Sequence, residues 1–169
     1  AFGVEIFTDK NLWDDDVNAL ADRLEWPLES QTSTDSSFRK YPDSSARMIG
    51  CRSYSNALYG EMGRVSGISF LFANKGDAVD TLKEDANARD VREVKEQIRD
   101  YKKGIQDDKK NLSLALTKLF GEPVPDRFGQ GRQTTEMVKR WDWNGHSFLL
   151  AAPRDEYVAI RIMPIESAK

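Results

Sequence analysis

A proline-free stretch of 44 residues, from Asp77 to Phe120, limits the folds open to this chain more than any other feature. As one helix it would extend about 66 Å, at about 1.5 Å per residue. A compact globule of this chain length is only about 30 to 40 Å across. We therefore expect a long helix over residues 77–120 that bends, breaks or projects from the body of the protein.

The residues at both ends of this stretch are typical of helix termini. Asp77 follows Gly76 and can cap the start, while Gly121 and Pro123 end it. Gly104 lies inside the stretch and predicts a kink between two helical segments. Apolar residues repeat at three-four spacing along one side, at Val91, Val94, Ile98, Tyr101 and Ile105. This seam favours a helix that lies over a sheet, and it leaves open an arm that pairs with another protein or with a second copy of the chain.

The first 45 residues contain one clear helical pattern. Weak alternation from Phe2 to Phe7 predicts a short edge strand. An apolar stripe with three aspartates in its first turn then predicts a helix over residues 11–26, capped by Asn11 or Thr8. Residues 28–45 are rich in serine, threonine and aspartate, which predicts an irregular loop.

The remaining segments predict antiparallel strands in two groups. Residues 46–74 form the first group, and residues 134–163 form the second, a three-stranded meander. Asn144-Gly145 is a strong signal for a two-residue hairpin turn, because both central residues of a type I′ turn need positive φ. Ser66-Gly67 precedes a similar apolar run and predicts a second hairpin turn by analogy.

The turn at Asn144-Gly145 sorts the side chains of the meander onto two faces. One face is apolar and suits packing under the helix; it carries Val138, Leu149, Ala151, Val158, Ile160 and Ile162. The other is aromatic and basic, and its candidate binding residues are Lys139, Trp141, Trp143, His146, Tyr157 and Arg161. We expect this second face either to be covered by the first 45 residues or to be a recognition surface. Large bare apolar patches are rare, which favours cover.

Together these segments predict one α+β domain over residues 1–169. Its antiparallel sheet is built from two strand groups that flank one long, kinked helix, and an amino-terminal helix precedes them. Two strand groups separated by a helix are similar in layout to the TATA-binding-protein-like and cystatin-like folds. The likeness concerns topology alone and implies no activity.

Cys51 and His146 are the only cysteine and the only histidine, so they form the only thiol–imidazole pair in the sequence. The order cysteine then histidine, with Gly145-His146 opening a strand, resembles that of papain-like cysteine peptidases. The resemblance implies a cysteine hydrolase in which Cys51 is the nucleophile and His146 the base. Cys51 lies in a predicted strand and not at a helix start, where the dipole would help to form thiolate. We therefore favour a histidine that packs beside Trp143 over a catalytic one.

Composition argues against several other classes of protein. A net charge of −3 provides no excess of positive charge for nucleic acid. No apolar run reaches the roughly 18 residues of a membrane span, so we expect a soluble chain without membrane insertion. One histidine and one cysteine make no metal cage, and no phosphate-binding glycine motif is present, so we predict no metal and no cofactor. A first residue other than methionine is compatible with a secreted or envelope-associated protein whose signal has been removed.

The function favoured by these patterns is a non-catalytic module that binds a protein or a ligand, as one domain of a larger protein. It would use the aromatic and basic sheet face or the charged helix. Two alternatives remain open at this point. One is the cysteine hydrolase that uses Cys51 and His146, and the other is a structural domain that associates with itself through the long helix.

Overall fold

Antiparallel strands and helices account for the residues that the computed structural model describes, which are 4–74, 91–128, 136–152 and 157–165. The helical elements are α1 (Val4–Thr8), a 3₁₀ turn (Leu12–Asp14), α2 (Val17–Leu24) and α3 (Val91–Phe120). The strands are β1 (Leu28–Gln31), β2 (Asp35–Lys40), β3 (Arg47–Met48), β4 (Cys51–Arg52), β5 (Ser55–Glu61), β6 (Arg64–Asn74), β7 (Val124–Phe128), β8 (Glu136–Trp143), β9 (His146–Ala151) and β10 (Tyr157–Pro164).

The main sheet has eight strands in the order β1-β2-β5-β6-β10-β9-β8-β7, and all neighbours are antiparallel. Because β6 pairs with β10, the sheet consists of two four-stranded meanders, one before α3 and one after it. The predicted α+β fold is therefore confirmed, with two strand groups on either side of a long helix and a helix near the amino terminus. The short strands β3 and β4 pair only with each other.

The predicted hairpin between β8 and β9 is confirmed. Asn144 and Gly145 have φ values of 54° and 82°, as a type I′ turn requires. The turn places Trp143 opposite His146, and it places Trp141 opposite Phe148. The side chains of β8 and β9 that were predicted to share a face therefore do share one.

The predicted faces of the meander require Tyr157 to lie opposite Ala152, and β10 is one residue out of this register. Ala159 lies opposite Ala151, and Ile162 lies opposite Phe148. Because side chains alternate along a strand, a slip of one residue moves every side chain to the other face. The observed register buries Ile160 and Ile162 on the same face as Phe148. Burial of these isoleucines under the helix is the physical reason for this register.

The long helix covers the aromatic face of the meander, whereas the sequence predicted that it would cover the face of Val138. The ring of Phe120, the last residue of α3, stacks on Phe148 with 4.7 Å between the ring centroids. The indole nitrogen of Trp141 donates a 3.0 Å hydrogen bond to the carbonyl of Gly121. Cover of the aromatic face thus comes largely from α3, with a contribution from Phe7 of α1.

The helix α3 has 30 residues and is about 45 Å long, at about 1.5 Å per residue. It continues through Gly104 without interruption, so a kink there stays a prediction. The predicted helical residues 77–90 lie outside the described part of the chain. Two residues of the apolar seam, Val94 and Ile105, are buried, while Val91 is 53% exposed. None of the described helices is long and apolar enough to cross a membrane.

The amino-terminal region differs from the prediction in one element and in the bounds of another. The described part of Phe2 to Phe7 is helical and not extended, because α1 lets Phe7 pack edge-on against Phe70 and Phe148. The predicted helix over 11–26 is shorter, and it begins at Val17. Its cap is Asp16, whose carboxylate accepts a 2.8 Å hydrogen bond from the backbone nitrogen of Ala19.

The predicted irregular loop at 28–45 contains the strands β1 and β2. All four residues of β1 are exposed, and only Phe38 of β2 is buried. Exposed edge strands need no apolar alternation, so the sequence lacks the usual signal.

The predicted turn at Ser66-Gly67 is also wrong, because these residues lie inside β6. The turn lies at Met62-Gly63, where φ is 53° and 80°. Within the predicted strand group 46–74, the first six residues were expected to form one strand. They instead belong to the hairpin of β3 and β4, which turns at Ile49-Gly50.

Gly60 is required where α2 packs on β5, and its replacement by alanine should destabilise the fold. A Cβ atom there would lie 2.6 Å and 2.8 Å from the two γ-carbons of Val17, which is fully buried and stiff at χ1. We expect Gly60→Ala to lower the free energy of unfolding by about 1 to 3 kcal/mol. Chemical denaturation measures this change.

Gly104→Ala is the matched control, because a Cβ atom on Gly104 meets nothing within 4 Å. Within α3 this change should raise stability by up to about 1 kcal/mol. The double variant Val17→Ala with Gly60→Ala should lose less stability than the two single changes added together. Equal denaturation midpoints for Gly60→Ala and the wild type would contradict this account of the packing.

Candidate functional site

The structure does not gather the six predicted binding residues into one site. Trp141 and His146 are buried, with 2% and 0% of their surfaces exposed. Trp143 remains 40% exposed and borders a cavity next to α3. The first two residues therefore belong to the core, and only Trp143 of these three can meet a ligand directly.

The other three predicted residues lie elsewhere. Lys139 borders a groove between α3 and the strands β7 and β8. Tyr157 and Arg161 line a recess on the opposite face of the sheet, as the register of β10 dictates. The predicted aromatic and basic surface is thus divided among the core, a cavity, a groove and a recess.

The cavity that Trp143 borders has a volume of about 420 Å³ and is termed the aromatic cavity. It lies between the carboxyl-terminal end of α3, the sheet, α1 and the β3–β4 hairpin. Twelve of the described residues line it. Eleven of them are apolar, and the twelfth, Arg47, is charged. Its volume and lining are those of a small-molecule site.

Aromatic side chains form much of the wall of this cavity. Phe120 of α3 stacks on Trp143 at 5.4 Å and on Phe148 at 4.7 Å between ring centroids. Phe7 of α1 meets Phe148 edge-on at 5.4 Å and Phe70 at 6.0 Å. Stacked and edge-on contacts fix the orientation of each ring. The wall is therefore preformed, with its rings held by one another.

Large apolar side chains at the mouth of the cavity remain accessible to solvent. Trp143, Ile49 and Leu119 are 40%, 38% and 62% exposed. Exposed apolar groups around a concavity indicate a place where another molecule binds.

The β3–β4 hairpin brings Arg47, Met48 and Ile49 to the cavity. Its turn is strained, because Ile49 has φ of 52° and branched side chains disfavour the left-handed region. Strain of this kind is concentrated at ligand clamps and other functional sites. The hairpin thus contributes both lining residues and a strained turn to the cavity.

Among the described residues that line the cavity, Arg47 is the cationic one. Its Nη1 atom donates hydrogen bonds of 3.1 Å to the carbonyls of Ser44 and Ala46. Within the described residues no carboxylate pairs with this guanidinium. Its charge is therefore available at the rim of an otherwise apolar space.

Cys51 is in an environment that suppresses its reactivity. The residue is buried, and burial, with a smaller effect from the charge of Asp108, raises the pKa of the thiol to about 11. A nucleophilic cysteine needs the opposite shift, because the thiolate is the reactive form.

His146 is fully buried, and its ring meets Trp13 edge-on with 5.4 Å between centroids. Burial lowers the pKa of the imidazole, and the backbone of Phe7 and of Asp9 opposes this effect. Neither ring nitrogen has an aligned hydrogen-bond partner among the described residues. No described contact joins His146 to Cys51, so the structure does not assemble the predicted pair.

A pair of carboxyl groups lies close to His146, and the sequence patterns did not single it out. A hydrogen bond between Asp9 and Asp15 raises the pKa of Asp15 to about 6 and lowers that of Asp9. The described residues contain no group of three side chains suited to a metal ion. The pair is partly exposed and lies outside the aromatic cavity.

The groove that Lys139 borders is larger, at about 630 Å³, and is termed the lysine groove. Lys109 and Lys110 of α3 line it with Lys139, whose amino group donates a 2.9 Å hydrogen bond to Ser113. The exposed side chains of Leu114, Val124 and Met137 lie among the lysines. This groove combines positive charge with apolar surface.

Cys51 should resist thiol reagents in the native protein. A pKa of about 11 instead of 9.0 lowers the thiolate fraction at neutral pH about a hundredfold. We expect modification by iodoacetamide to be at least that much slower than in denaturant, which is the control. Rapid modification of the native chain, followed by mass spectrometry, would contradict the described environment.

His146 should make the protein less stable as the pH falls below 6.5. Its folded pKa lies below the ordinary 6.5, so the unfolded chain takes up the proton first, and the stability that the neutral ring contributes is lost on acidification. We expect His146→Phe to flatten this part of the profile of denaturation midpoint against pH.

Asp15, in the neighbouring carboxyl pair, changes stability with pH in the opposite direction to His146. It therefore needs a control variant of its own. The folded pKa of Asp15, about 6, lies above its ordinary 3.8, so its contribution is complete below pH 3.8 and is lost as the pH rises through 6. Asp15→Asn removes this contribution and should make the acid loss due to His146 steeper. If His146→Phe keeps the wild-type profile, the histidine is not its cause.

No protein-family model matches this chain, and no curated protein or solved structure is significantly similar to it. Its function therefore has to be inferred from its own geometry. The aromatic cavity is the concave site that combines a preformed wall, a strained hairpin and an accessible mouth.

Proposed function

We propose that this protein binds a small apolar molecule carrying one anionic group, and that it does not alter that molecule chemically. The observation that carries the proposal is the aromatic cavity, 420 Å³ in volume, with eleven apolar residues and Arg47 in its lining. A ligand of this kind would bury its apolar part against the rings and keep its charged end at the rim. The sequence predicted a module that binds a protein or a ligand, and this proposal favours a ligand of stated chemistry.

Burial of apolar surface supplies the affinity in this proposal. Each Å² of apolar surface removed from water contributes about 25 cal/mol, before the cost of immobilising the ligand. The rings of Phe120, Phe148 and Phe7 are already held by mutual contacts. Little conformational entropy is therefore lost in the wall when a ligand binds.

Arg47 supplies selectivity for an anionic end. A guanidinium matches the geometry of a carboxylate or phosphate and stays charged at all physiological pH values. Because its Nη1 atom is held by two backbone carbonyls, the group is oriented before the ligand arrives. None of the described residues that line the cavity is acidic, so none of them competes for this guanidinium.

The proposal that the ligand is not chemically altered rests on the protonation states of the candidate catalytic side chains. The Cys51 thiol is held in its neutral form, with a pKa near 11, and the buried His146 ring is also kept neutral. The Asp9–Asp15 pair does not line the cavity. The alternative of a cysteine hydrolase that uses Cys51 and His146 has no support from these environments.

Self-association through the long helix has little support as well. Val94 and Ile105 of the seam are buried within the chain itself, and Ile98 and Tyr101 are half-buried. A seam that is already packed has little apolar surface left for a second copy.

Protein binding, the other part of the predicted function, has one observation in its favour. Three lysines and three exposed apolar side chains line the lysine groove. A partner segment with acidic and apolar residues would fit this combination by charge and by burial. Binding at this groove would be independent of the aromatic cavity.

A series of alkyl carboxylates and the corresponding alcohols tests the proposed ligand class. We expect saturable binding of the carboxylates in displacement of a fluorescent apolar probe, with an optimum chain length set by the cavity. Trp143→Ala removes one side of the cavity wall and should weaken binding at least tenfold, about 1.4 kcal/mol.

Arg47 and Arg52 offer a matched pair of variants, because they lie opposite each other in the hairpin and only Arg47 lines the cavity. Arg47→Gln should weaken carboxylate binding and leave alcohol binding unchanged, whereas Arg52→Gln should change neither. Equal effects of the two variants would remove the anionic group from the proposal. Failure of the wild type to bind any member of either series would overturn the proposal itself.

A further inference from the structure

The sheet face opposite α3 contains a recess of about 190 Å³, termed the polar recess. It lies over the central strands, on the side that the register of β10 assigns to Tyr157, Ala159 and Arg161. The aromatic cavity lies on the other face, where Ile160 and Ile162 line it. The two sites therefore use alternate residues of the same strand.

Small side chains on neighbouring strands create the floor of this recess. Ala159 of β10 lies opposite Ala151 of β9 on one side, and Ser69 of β6 lies opposite Arg161. Both alanines are buried, with 7% and 4% exposed. Because these strands are paired on both sides, the depression is part of the rigid centre of the sheet.

Hydrogen-bond donors surround this floor. Arg39, Arg161, Tyr59 and Tyr157 all line the recess, and no carboxylate is among the described residues that line it. Guanidinium and phenol groups together place hydrogen-bond donors around the recess, with aromatic surface beside them. Such a lining suits a negatively charged group.

Arg39 is held in place before any ligand arrives. Its Nε atom donates to both carboxylate oxygens of Glu29, at 2.9 Å and 3.0 Å. Its Nη1 atom donates a 3.1 Å hydrogen bond to the hydroxyl of Ser55, which is only 1% exposed. Its remaining nitrogen, Nη2, has no hydrogen-bond partner within the described residues. The guanidinium is thus fixed by buried and charged partners with one donor group left for a ligand.

We infer that the polar recess binds a small molecule through an oxyanion, either a carboxylate or a phosphate. Guanidinium groups bind both with paired, charge-assisted hydrogen bonds, and the phenols of Tyr59 and Tyr157 add donors and ring surface. The recess lies on the opposite face from the aromatic cavity, so this inference does not rest on the proposed function.

Calorimetric titration with phenyl phosphate, benzoate and uncharged benzyl alcohol tests this inference. We expect one saturable site for at least one anion and none for the alcohol; the anion that binds more tightly identifies the head group. Arg39→Lys keeps the charge but removes the planar fork, and Arg161→Gln removes a charge. Each should weaken binding at least tenfold.

Ala159→Leu fills the floor without changing any charge, and it should also weaken binding at least tenfold. Arg127→Gln, on the edge strand β7 and outside the recess, is the control for overall charge and should bind like the wild type. Thermal unfolding shows which variants are folded. The anion affinity of any one folded recess variant is then compared with that of Arg127→Gln.

Two outcomes would overturn the inference. The first is no saturable binding of either anion by the wild type at concentrations up to about 10 mM, the range of weak small-molecule affinities. The second is equal weakening by Arg127→Gln and the folded recess variants, which would mean general attraction of anions. Loss of alkyl carboxylate binding at the aromatic cavity would leave this result unaffected.

Discussion

The pairing of β6 with β10 joins the two halves of this protein. Phe70 lies opposite Ile160, and Ile68 lies opposite Ile162, in the middle of the eight-stranded sheet. All four side chains are buried, each at 2% exposure or less. Without this pairing each four-stranded meander would present an unpaired edge and an uncovered apolar face. The floors of the aromatic cavity and of the polar recess are both built on these two strands.

The parts of the fold that were predictable from sequence are those in which one residue type has one geometric role. Asn144-Gly145 satisfies two positive φ angles in succession, so the turn and the pairing of Trp143 with His146 follow from it. The long helix follows from the absence of proline and from the apolar seam. The α+β class follows from these two features together.

Other features depend on context that no short pattern contains. Met62-Gly63 forms the same kind of turn as Asn144-Gly145, although methionine has no preference for positive φ. The strand β1 is exposed along its whole length, so it carries no apolar alternation. The register of β10 is decided by which face α3 covers, and that choice is made by tertiary packing.

The candidate site was only partly predictable for the same reason. Trp143 was recognised from the sequence, but its partners Phe120 and Arg47 come from the far end of α3 and from the small hairpin. Residues that meet only through tertiary contacts give no local signal. The candidate catalytic residues Cys51 and His146 are each buried in surroundings that favour their neutral forms.

The separate pairing of β3 and β4 has a consequence for how a molecule reaches the aromatic cavity. Parting any two strands of the main sheet would break a continuous ladder of hydrogen bonds, whereas the tip of the hairpin pairs only within itself. Outward rotation of Ile49 and Gly50 would therefore widen the accessible mouth of the cavity without breaking that ladder. The unfavourable backbone angle of Ile49 favours such an excursion, because relaxing it offsets some of the contacts that are lost.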